Sequence, residues 1–160
     1  MLRLAQIDDA DAIGRFQTRA WEQAYRGLVA DEYLDVTTWR VRAARWRHRI
    51  ASGERAVWLA EVDGAAVGVA STAPTSKDRP DLPALELASI YVDAAWHGRG
   101  VASSLLDHAI GASPAHLGVF DANARAQRFY AKHGFVATGD VQVDADTGLG
   151  ETRWVRGGSD

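Results

Sequence analysis

The sequence predicts an α/β domain with a mixed sheet of about six or seven strands and about four flanking helices. Stretches with apolar residues at helical spacing are interspersed with short runs rich in valine and alanine, which are typical of strands. The pair Asp63-Gly64 separates two such runs and is a strong hairpin signal. A chain of 160 residues, 47% of them hydrophobic, can bury a sizeable core, so we expect residues 1–160 to form one domain.

Composition excludes several classes of function. Cysteine is absent, so neither a thiolate nucleophile nor a thiolate metal site is possible, and the scattered histidines predict no metal site. The net charge is −3, and the basic run at residues 40–49 is interrupted by apolar residues at core-facing spacing. We interpret that run as a solvated helix face rather than a nucleic-acid surface. No apolar run reaches the length of a membrane span, and the N-terminus is acidic too early for a secretion signal. We therefore expect a soluble, cytoplasmic protein.

The first half of the chain predicts a strand at residues 2–6, a helix capped by Asp8 or Asp9, and a second helix at residues 37–51. Residues 56–62 and 65–71 form the predicted hairpin. Pro74, Pro80 and Pro83 then mark a loop that is either a substrate lid or a long connection, and we favour the connection.

Residues 85–110 combine a buried strand, a glycine-containing turn and an amphipathic helix. Gly98 and Gly100 leave backbone N–H groups uncovered where the helix begins and its dipole is positive, which favours a phosphate. The alternative is a packing turn, in which glycine lets strand and helix approach each other. Beyond this unit we expect a strand at 116–120, a helix at 123–133 ended by Gly134, and strands at 136–143 and 151–155.

Two motifs in this element order resemble the GNAT family of acetyl-CoA-dependent N-acetyltransferases, across nearly the whole chain. The first is Gln/Arg-x-x-Gly-x-Gly/Ala at a strand-to-helix turn, which corresponds to residues 97–102, HGRGVA. The second is Asn-x-x-Ala-x-x-Phe-Tyr followed by Gly-Phe, which is met by the following residues: Asn123, Ala126, Phe129, Tyr130, Gly134 and Phe135. His97 departs from the usual Gln/Arg, which puts a side-chain contact in doubt more than the backbone contacts.

The resemblance implies a GNAT acyl-CoA N-acyltransferase fold with acetyl-CoA as cosubstrate. The residues that it assigns to cofactor binding are Ile90, Tyr91, Val92, His97, Gly98, Arg99, Gly100, Val101, Ala102, Asn123, Ala126 and Tyr130. Asn123 could equally be the N-cap of its helix, and both roles can hold together.

Acetyl transfer to an amine needs a base, because an alkyl ammonium is protonated at neutral pH. Glu86 is the first candidate, since it lies on the strand before the glycine turn, where several GNAT enzymes carry a base glutamate. The alternative is a glutamate that pairs with an arginine or faces solvent. The resemblance further implies a backbone donor near residues 90–92 for the developing oxyanion, and Tyr130 as general acid. The alternative for Tyr130 is an aromatic residue that packs in the core.

Trp21, Tyr25 and Tyr91 are aromatic candidates for the acceptor pocket, although aromatics at this spacing are more often core. We expect a primary amine as acceptor and favour a small molecule over a peptide or protein amine. The alternative function is a non-catalytic acyl-CoA-binding or sensor module. The last two strands, with Trp154, could support a homodimer.

Overall fold

The computed structural model describes residues 1–157, which form a seven-stranded mixed sheet in the order β1-β2-β3-β4-β5-β7-β6. The strands are β1 (Leu2–Leu4), β2 (Ala56–Val62), β3 (Ala65–Pro74), β4 (Leu85–Val92), β5 (Ala115–Phe120), β6 (Val136–Val143) and β7 (Gly150–Arg156). The helices are α1 (Ala10–Tyr25), α2 (Asp31–Val36), α3 (Trp39–Ser52), α4 (Val101–Ala109) and α5 (Ala124–Lys132). The predicted α/β class and mixed sheet are confirmed, with seven strands.

Strands β1 to β4 are antiparallel neighbours, and β4 and β5 are the parallel pair at the centre of the sheet. The chain then places β7 between β5 and β6, and both of those pairings are antiparallel. The β2–β3 hairpin turns at Asp63 (φ 50°) and Gly64 (φ 77°), two successive positive φ angles of the kind that the Asp-Gly pair favours.

Helices α1 and α3 cover one face of the sheet. Their apolar faces meet β2 and β3 in a core that contains Ile13, Phe16, Trp46, Leu59 and Val69. Helices α4 and α5 cover the other face, where Leu106, Leu117, Tyr130 and Phe135 belong to one buried cluster. Trp154, predicted as a dimer contact, is half-buried against this second core, and the homodimer stays a prediction.

The local structure differs from the sequence expectation at three places. Asp9 occupies the N-cap position of α1, as predicted, but its side chain makes no capping bond to that helix, because its Oδ2 accepts from the N–H of Gln6 at 2.7 Å across the preceding 3-10 turn (Ile7–Asp9). The short helix α2 was not expected, since six residues carry too little periodicity. The basic run is not uniformly solvated, because Arg42 is only 3% exposed.

Residues 75–84 connect β3 to β4, and side-chain contacts fix them on the sheet. Arg79 donates to Asp81 at 3.1 and 3.0 Å and to Asp140 of β6 at 2.8 Å. These bonds agree with the connection that we favoured over a lid.

Close packing of α1 against α3 depends on Gly14. A Cβ at this position would lie 2.7 Å from the Trp39 carbonyl oxygen and 2.7 Å from the Ala43 nitrogen. Both are backbone atoms of α3, so relief requires the helices to separate. We expect Gly14→Ala to lower the free energy of unfolding by about 2 kcal/mol, despite the better helix propensity of alanine.

Urea unfolding followed by circular dichroism measures this loss. Gly139→Ala is the matched control, because a Cβ there meets nothing within 4 Å. Equal stability of the Gly14 variant and the control would contradict the proposed packing constraint.

Candidate active site

The central strands β4 and β5 separate after a single paired position. Glu86 lies opposite His116, and the register between the two strands holds no further Cα pair. As a result β4 is unusually accessible for a central strand, because seven of its eight residues are half-buried and only Leu87 is buried. The separation creates a cleft between residues 88–92 of β4 and the C-terminal half of β5.

A β-bulge lies on β4 beside this separation. Ser71 of β3 pairs with Ser89 and Thr72 pairs with Leu87, so Ala88 has no partner on β3. A bulge bends its strand and increases its twist, which turns the following residues away from β5. The backbone edge of Ile90, Tyr91 and Val92 therefore faces the cleft rather than another strand.

The glycine turn leads from β4 into α4 at the mouth of the cleft. Gly98 (φ 76°) and Gly100 (φ 82°) both have left-handed backbone conformations, which glycine adopts without strain. A Cβ at either position would meet nothing within 4 Å, so close helix packing does not explain these glycines. Within residues 1–157, no hydrogen bond uses the N–H groups of residues 98–100. Free donors and an open approach at the start of α4 fit an anionic group.

Two residues of the predicted turn have side chains directed elsewhere. The Nε2 atom of His97 lies 3.0 Å from the carbonyl oxygen of Val92, within the turn itself. The Arg99 guanidinium lies over the Trp96 ring at 4.9 Å. Val101 and Ala102 begin α4 and are half-buried.

Asn123 is the N-cap of α5. Its Oδ1 accepts from the N–H of Ala126 at 3.1 Å, and its Nδ2 donates to the Tyr25 hydroxyl at 3.0 Å. The capping role is therefore present in the fold, and Asn123 also connects α5 to α1. Burial raises the pKa of Tyr25 to about 12, with the Asn123 hydrogen bond acting in the opposite direction.

Tyr130 lies on α5, on the side of the sheet opposite to α1. Its ring is 7% exposed and packs at 5.8 Å from Phe135 and 5.5 Å from Phe129. Burial raises the pKa of Tyr130 well above its usual value, and the nearby phenols of Tyr25 and Tyr91 act in the same direction. The hydroxyl thus keeps its proton at neutral pH. It lies close enough to Tyr25 and Tyr91, on the α1 side of the cleft, for these phenols to influence its pKa.

Glu86 marks the point where the two strands separate. Its Oε2 lies 3.7 Å from Arg153 Nη1 and 3.9 Å from His116 Nδ1, and its side chain is 34% exposed. The arginine contact matches one of the alternatives for this residue. It leaves the carboxylate accessible.

His116 is held in a continuous hydrogen-bonded chain. Arg153 Nη1 lies 3.4 Å from Nδ1, Nε2 lies 2.7 Å from the Thr75 hydroxyl, and that hydroxyl donates to the Pro83 carbonyl. Because an arginine can only donate, Nδ1 accepts and Nε2 carries the proton. Burial lowers the pKa of His116, with Glu86 acting in the opposite direction.

Other side chains that could act as a base are engaged elsewhere. Glu22 pairs with Arg26, Glu61 with Arg3, and Asp93 with Arg19. His116 is likewise held in its hydrogen-bonded chain. None of these three carboxylates and the imidazole is therefore free in the cleft.

Glu151 was not foreseen from the sequence. It lies on β7, and its carboxylate lies over β5, where a Cβ on Gly118 would be 1.7 Å from Oε1. Burial raises the pKa of Glu151, while Arg153 acts to lower it. A glycine that makes room for a half-buried carboxylate beside the cleft would be visible only in the paired register of β5 and β7.

The predicted acceptor residues form an aromatic cluster. Trp21 lies 4.5 Å from Tyr25 and 5.7 Å from Tyr33, and Phe120 packs edge-on at 5.5 Å from Tyr25. Trp21 and Tyr25 are 8% and 7% exposed, as core residues are, whereas Tyr91 is half-buried. The three residues are together on the α1 side of the cleft.

Residues 1–157 contain no cluster of three or more histidine or acidic side chains placed to hold a metal ion. Within the same residues, no helix is long and apolar enough to cross a membrane.

Comparisons with known proteins agree with this geometry. Residues 24–148 match the family model described as an acetyltransferase (GNAT) domain. An uncharacterized N-acetyltransferase of Mycobacterium bovis is 33% identical over 140 residues, which cover 83% of this chain and 86% of the relative. A relative from Mycobacterium tuberculosis gives the same values.

Solved structures show the same fold. The PaiA N-acetyltransferase of Thermoplasma acidophilum, in complex with coenzyme A, has a TM-score of 0.74 at 17% identity and covers 98% of both chains. YncA of Salmonella typhimurium, a putative acetyltransferase with acetyl-CoA, has a TM-score of 0.71 at 24% identity over 100% of this chain and 94% of that one.

The family match covers the separated strands, the glycine turn and the α5 motif. The expectation of an acetyl-CoA-dependent N-acetyltransferase is thereby confirmed at the level of the family. The chain belongs to the GNAT family of N-acetyltransferases.

Proposed function

We propose that this protein moves an acetyl group from acetyl-CoA to a primary amine by direct attack, with a small-molecule amine as acceptor. The observation that carries the proposal is the cleft between β4 and β5, with free backbone donors at its mouth and a buried tyrosine beyond it. A cleft of this kind can admit an extended ligand, which hydrogen-bonds to the exposed edge of β4 as an added strand would.

Backbone groups are the main means of holding the coenzyme in this proposal. The N–H groups of residues 98–102 receive the pyrophosphate at the start of α4, where donors and helix dipole act together. The edge of Ile90, Tyr91 and Val92 receives the pantetheine arm, with Asn123 and Ala126 bordering it from α5. The His97 side chain is already bonded to Val92, so the contribution of His97 comes from the backbone.

Bound acetyl-CoA supplies a thioester, whose C–S bond breaks as the C–N bond to the amine forms, giving an acetylated amine and free CoA thiol. The amine must lose one proton in this exchange. Glu86 accepts it in our proposal, directly or through water, because its carboxylate is accessible at the vertex of the cleft.

The two remaining roles, oxyanion donor and general acid, fall to groups on opposite sides of the cleft. Backbone N–H groups near Ile90 to Val92 donate to the carbonyl oxygen as negative charge develops there. Tyr130 donates its proton to the departing sulfur. Since burial keeps its phenol protonated, the proton is present when the thiolate forms.

A non-catalytic acyl-CoA-binding module is the second candidate function. The position of Glu86 at the cleft vertex favours catalysis, because a sensor needs no accessible carboxylate there. The proposal includes no nucleic-acid partner. A homodimer through the last two strands remains a proposal as well.

Coenzyme binding can be tested separately from turnover. We expect desulfo-CoA at millimolar concentration to raise Tm by several degrees, because a ligand that binds only the folded state stabilises it by mass action. Differential scanning fluorimetry measures the shift. An unchanged Tm would contradict coenzyme binding and, with it, the proposed reaction.

The general acid is tested by Tyr130→Phe, which keeps the buried ring and removes the hydroxyl. We expect kcat to fall about 100-fold with little change in the desulfo-CoA shift, since general acid catalysis contributes about 10²–10⁴-fold. Thiol release in stopped assays gives kcat. Phe129→Leu is a control for packing on the same helix, and full turnover by Tyr130→Phe would refute the assignment.

The base is tested by the pH dependence of kcat/KM. The rate falls on the acid side as the base becomes protonated, so Glu86→Gln should lower kcat/KM and abolish that limb. Glu151→Gln makes the same substitution on the other carboxylate beside the cleft and should retain the limb. A limb that persists in Glu86→Gln and disappears in Glu151→Gln would identify Glu151 as the base instead.

A further inference from the structure

Arg42 is a buried cation without an anionic partner. Its Nη1 donates to the Thr37 carbonyl and lies 3.2 Å from Thr18 Oγ1. Its Nη2 is also buried but has no hydrogen-bond partner within residues 1–157, and no carboxylate of those residues pairs with the guanidinium. A buried charged donor left without an acceptor is costly, so this side chain is positioned to receive one.

Trp21 supplies a second buried donor beside it. The indole Nε1 likewise has no partner in the described chain, and Trp21 is 8% exposed. The Arg42 Cζ lies 5.6 Å from the Trp21 ring centroid. Arg42 Nη2 and Trp21 Nε1 are the buried side-chain donors that lack partners in residues 1–157. Because the two side chains are neighbours, a ligand with two acceptor atoms is one common partner for both donors.

The surrounding charge selects a negative ligand. Arg45 and Arg49 follow Arg42 on α3 at positions i+3 and i+7, and neither forms an ion pair in the described chain. Burial lowers the pKa of Arg49, and the positive charges of Arg55 and Arg45 add to that effect. By contrast, Arg47 on the same helix pairs with Asp11 at 2.8 Å.

The location of this pair connects it to the acceptor rather than to the coenzyme. Trp21 packs on Tyr25, Tyr33 and Phe120, and Phe120 ends β5 on the α1 side of the cleft. The glycine turn, in contrast, leads into α4, on the other face of the sheet. Half-buried Tyr33, on the short helix α2, borders Trp21 at 5.7 Å between ring centroids.

We propose that Arg42 Nη2 and Trp21 Nε1 form a subsite for the carboxylate of the acceptor, so that the acceptor is an amino acid or another amine that carries a carboxylate. This inference rests on the proposed acetyl transfer and specifies its acceptor class. A polyamine or a simple alkylamine would leave both donors unpaired and would be repelled by the arginines.

Matched acceptor pairs test the subsite. The probes are glycine, β-alanine, 4-aminobutyrate and L-alanine, each with its carboxamide, assayed with acetyl-CoA by thiol release. We expect kcat/KM for at least one carboxylate to exceed that for its amide by about tenfold to 100-fold, as lost charge-assisted hydrogen bonds imply. Arg42→Gln should remove this preference by lowering the carboxylate value and not the amide value.

Two further variants separate recognition from folding. Trp21→Phe keeps an aromatic ring, removes the Nε1 donor and should reduce the same preference several-fold. Arg47→Gln makes the matched substitution on the exposed side of α3 and should keep the preference. The desulfo-CoA shift in Tm verifies that each variant is folded and still binds the coenzyme.

Binding without turnover supplies an independent measurement. With desulfo-CoA bound, a carboxylate probe should raise Tm in the wild type and not in Arg42→Gln. If no amine is acetylated but this Arg42-dependent shift is present, the subsite stands and the proposed function fails. If amines are acetylated with no preference for carboxylates, or if Arg42→Gln affects both members of each pair equally, the subsite is refuted while acetyl transfer remains. An absence of both turnover and shift refutes both.

Discussion

The separation of β4 from β5 is the constraint on which the rest of the structure depends. A continuous parallel pair would satisfy the backbone of both strands and leave nothing to bind an extended ligand. Instead the pairing stops at Glu86 and His116, and the bulge at Ala88 turns β4 away. Helices α4 and α5 then begin near the open ends of the two strands, with their N-termini on either side of the gap. The cleft thus exists because hydrogen bonds that a sheet normally makes are left unmade.

The two faces of the sheet divide the chemistry of the site. On the α4–α5 face, backbone N–H groups and a protonated phenol are suited to the proposed binding of the coenzyme. On the α1–α3 face, aromatic rings, two carboxylates and several arginines are suited to the acceptor. In the proposed reaction, the reacting atoms meet between the faces, at the vertex of the cleft.

The sequence predicts the local structure of the glycine turn and of α5 well and the surroundings of Arg42 and Glu151 poorly, for a physical reason. Gly98, Gly100, Asn123 and Tyr130 belong to contiguous motifs, in which local backbone geometry and helix spacing carry the signal. Glu151 lies beside the cleft because β7 is inserted next to β5, where Gly118 makes room for it, and that relation joins residues distant in the chain. Arg42 was assigned to a solvated face because its neighbours are basic, yet it lies beneath Trp21. Tertiary packing, which periodicity alone does not reveal, decides both cases.

A series of hydrogen bonds joins strand β7, the vertex of the cleft and the loop at 75–84. It runs from Arg153 through His116 and Thr75 to the Pro83 carbonyl. The link to Arg153 forms only with a neutral imidazole, because protonated Nδ1 could no longer accept from an arginine. Since burial lowers the pKa of His116 below its unfolded value of about 6.5, its contribution to stability is complete above that pH and is lost as the pH falls further. Protonation of Nδ1 breaks the contact with Arg153 of β7, whereas the Nε2–H bond to Thr75 is kept. The loop at 75–84 thus stays attached to the vertex of the cleft in either protonation state, and only the junction with β7 depends on the pH.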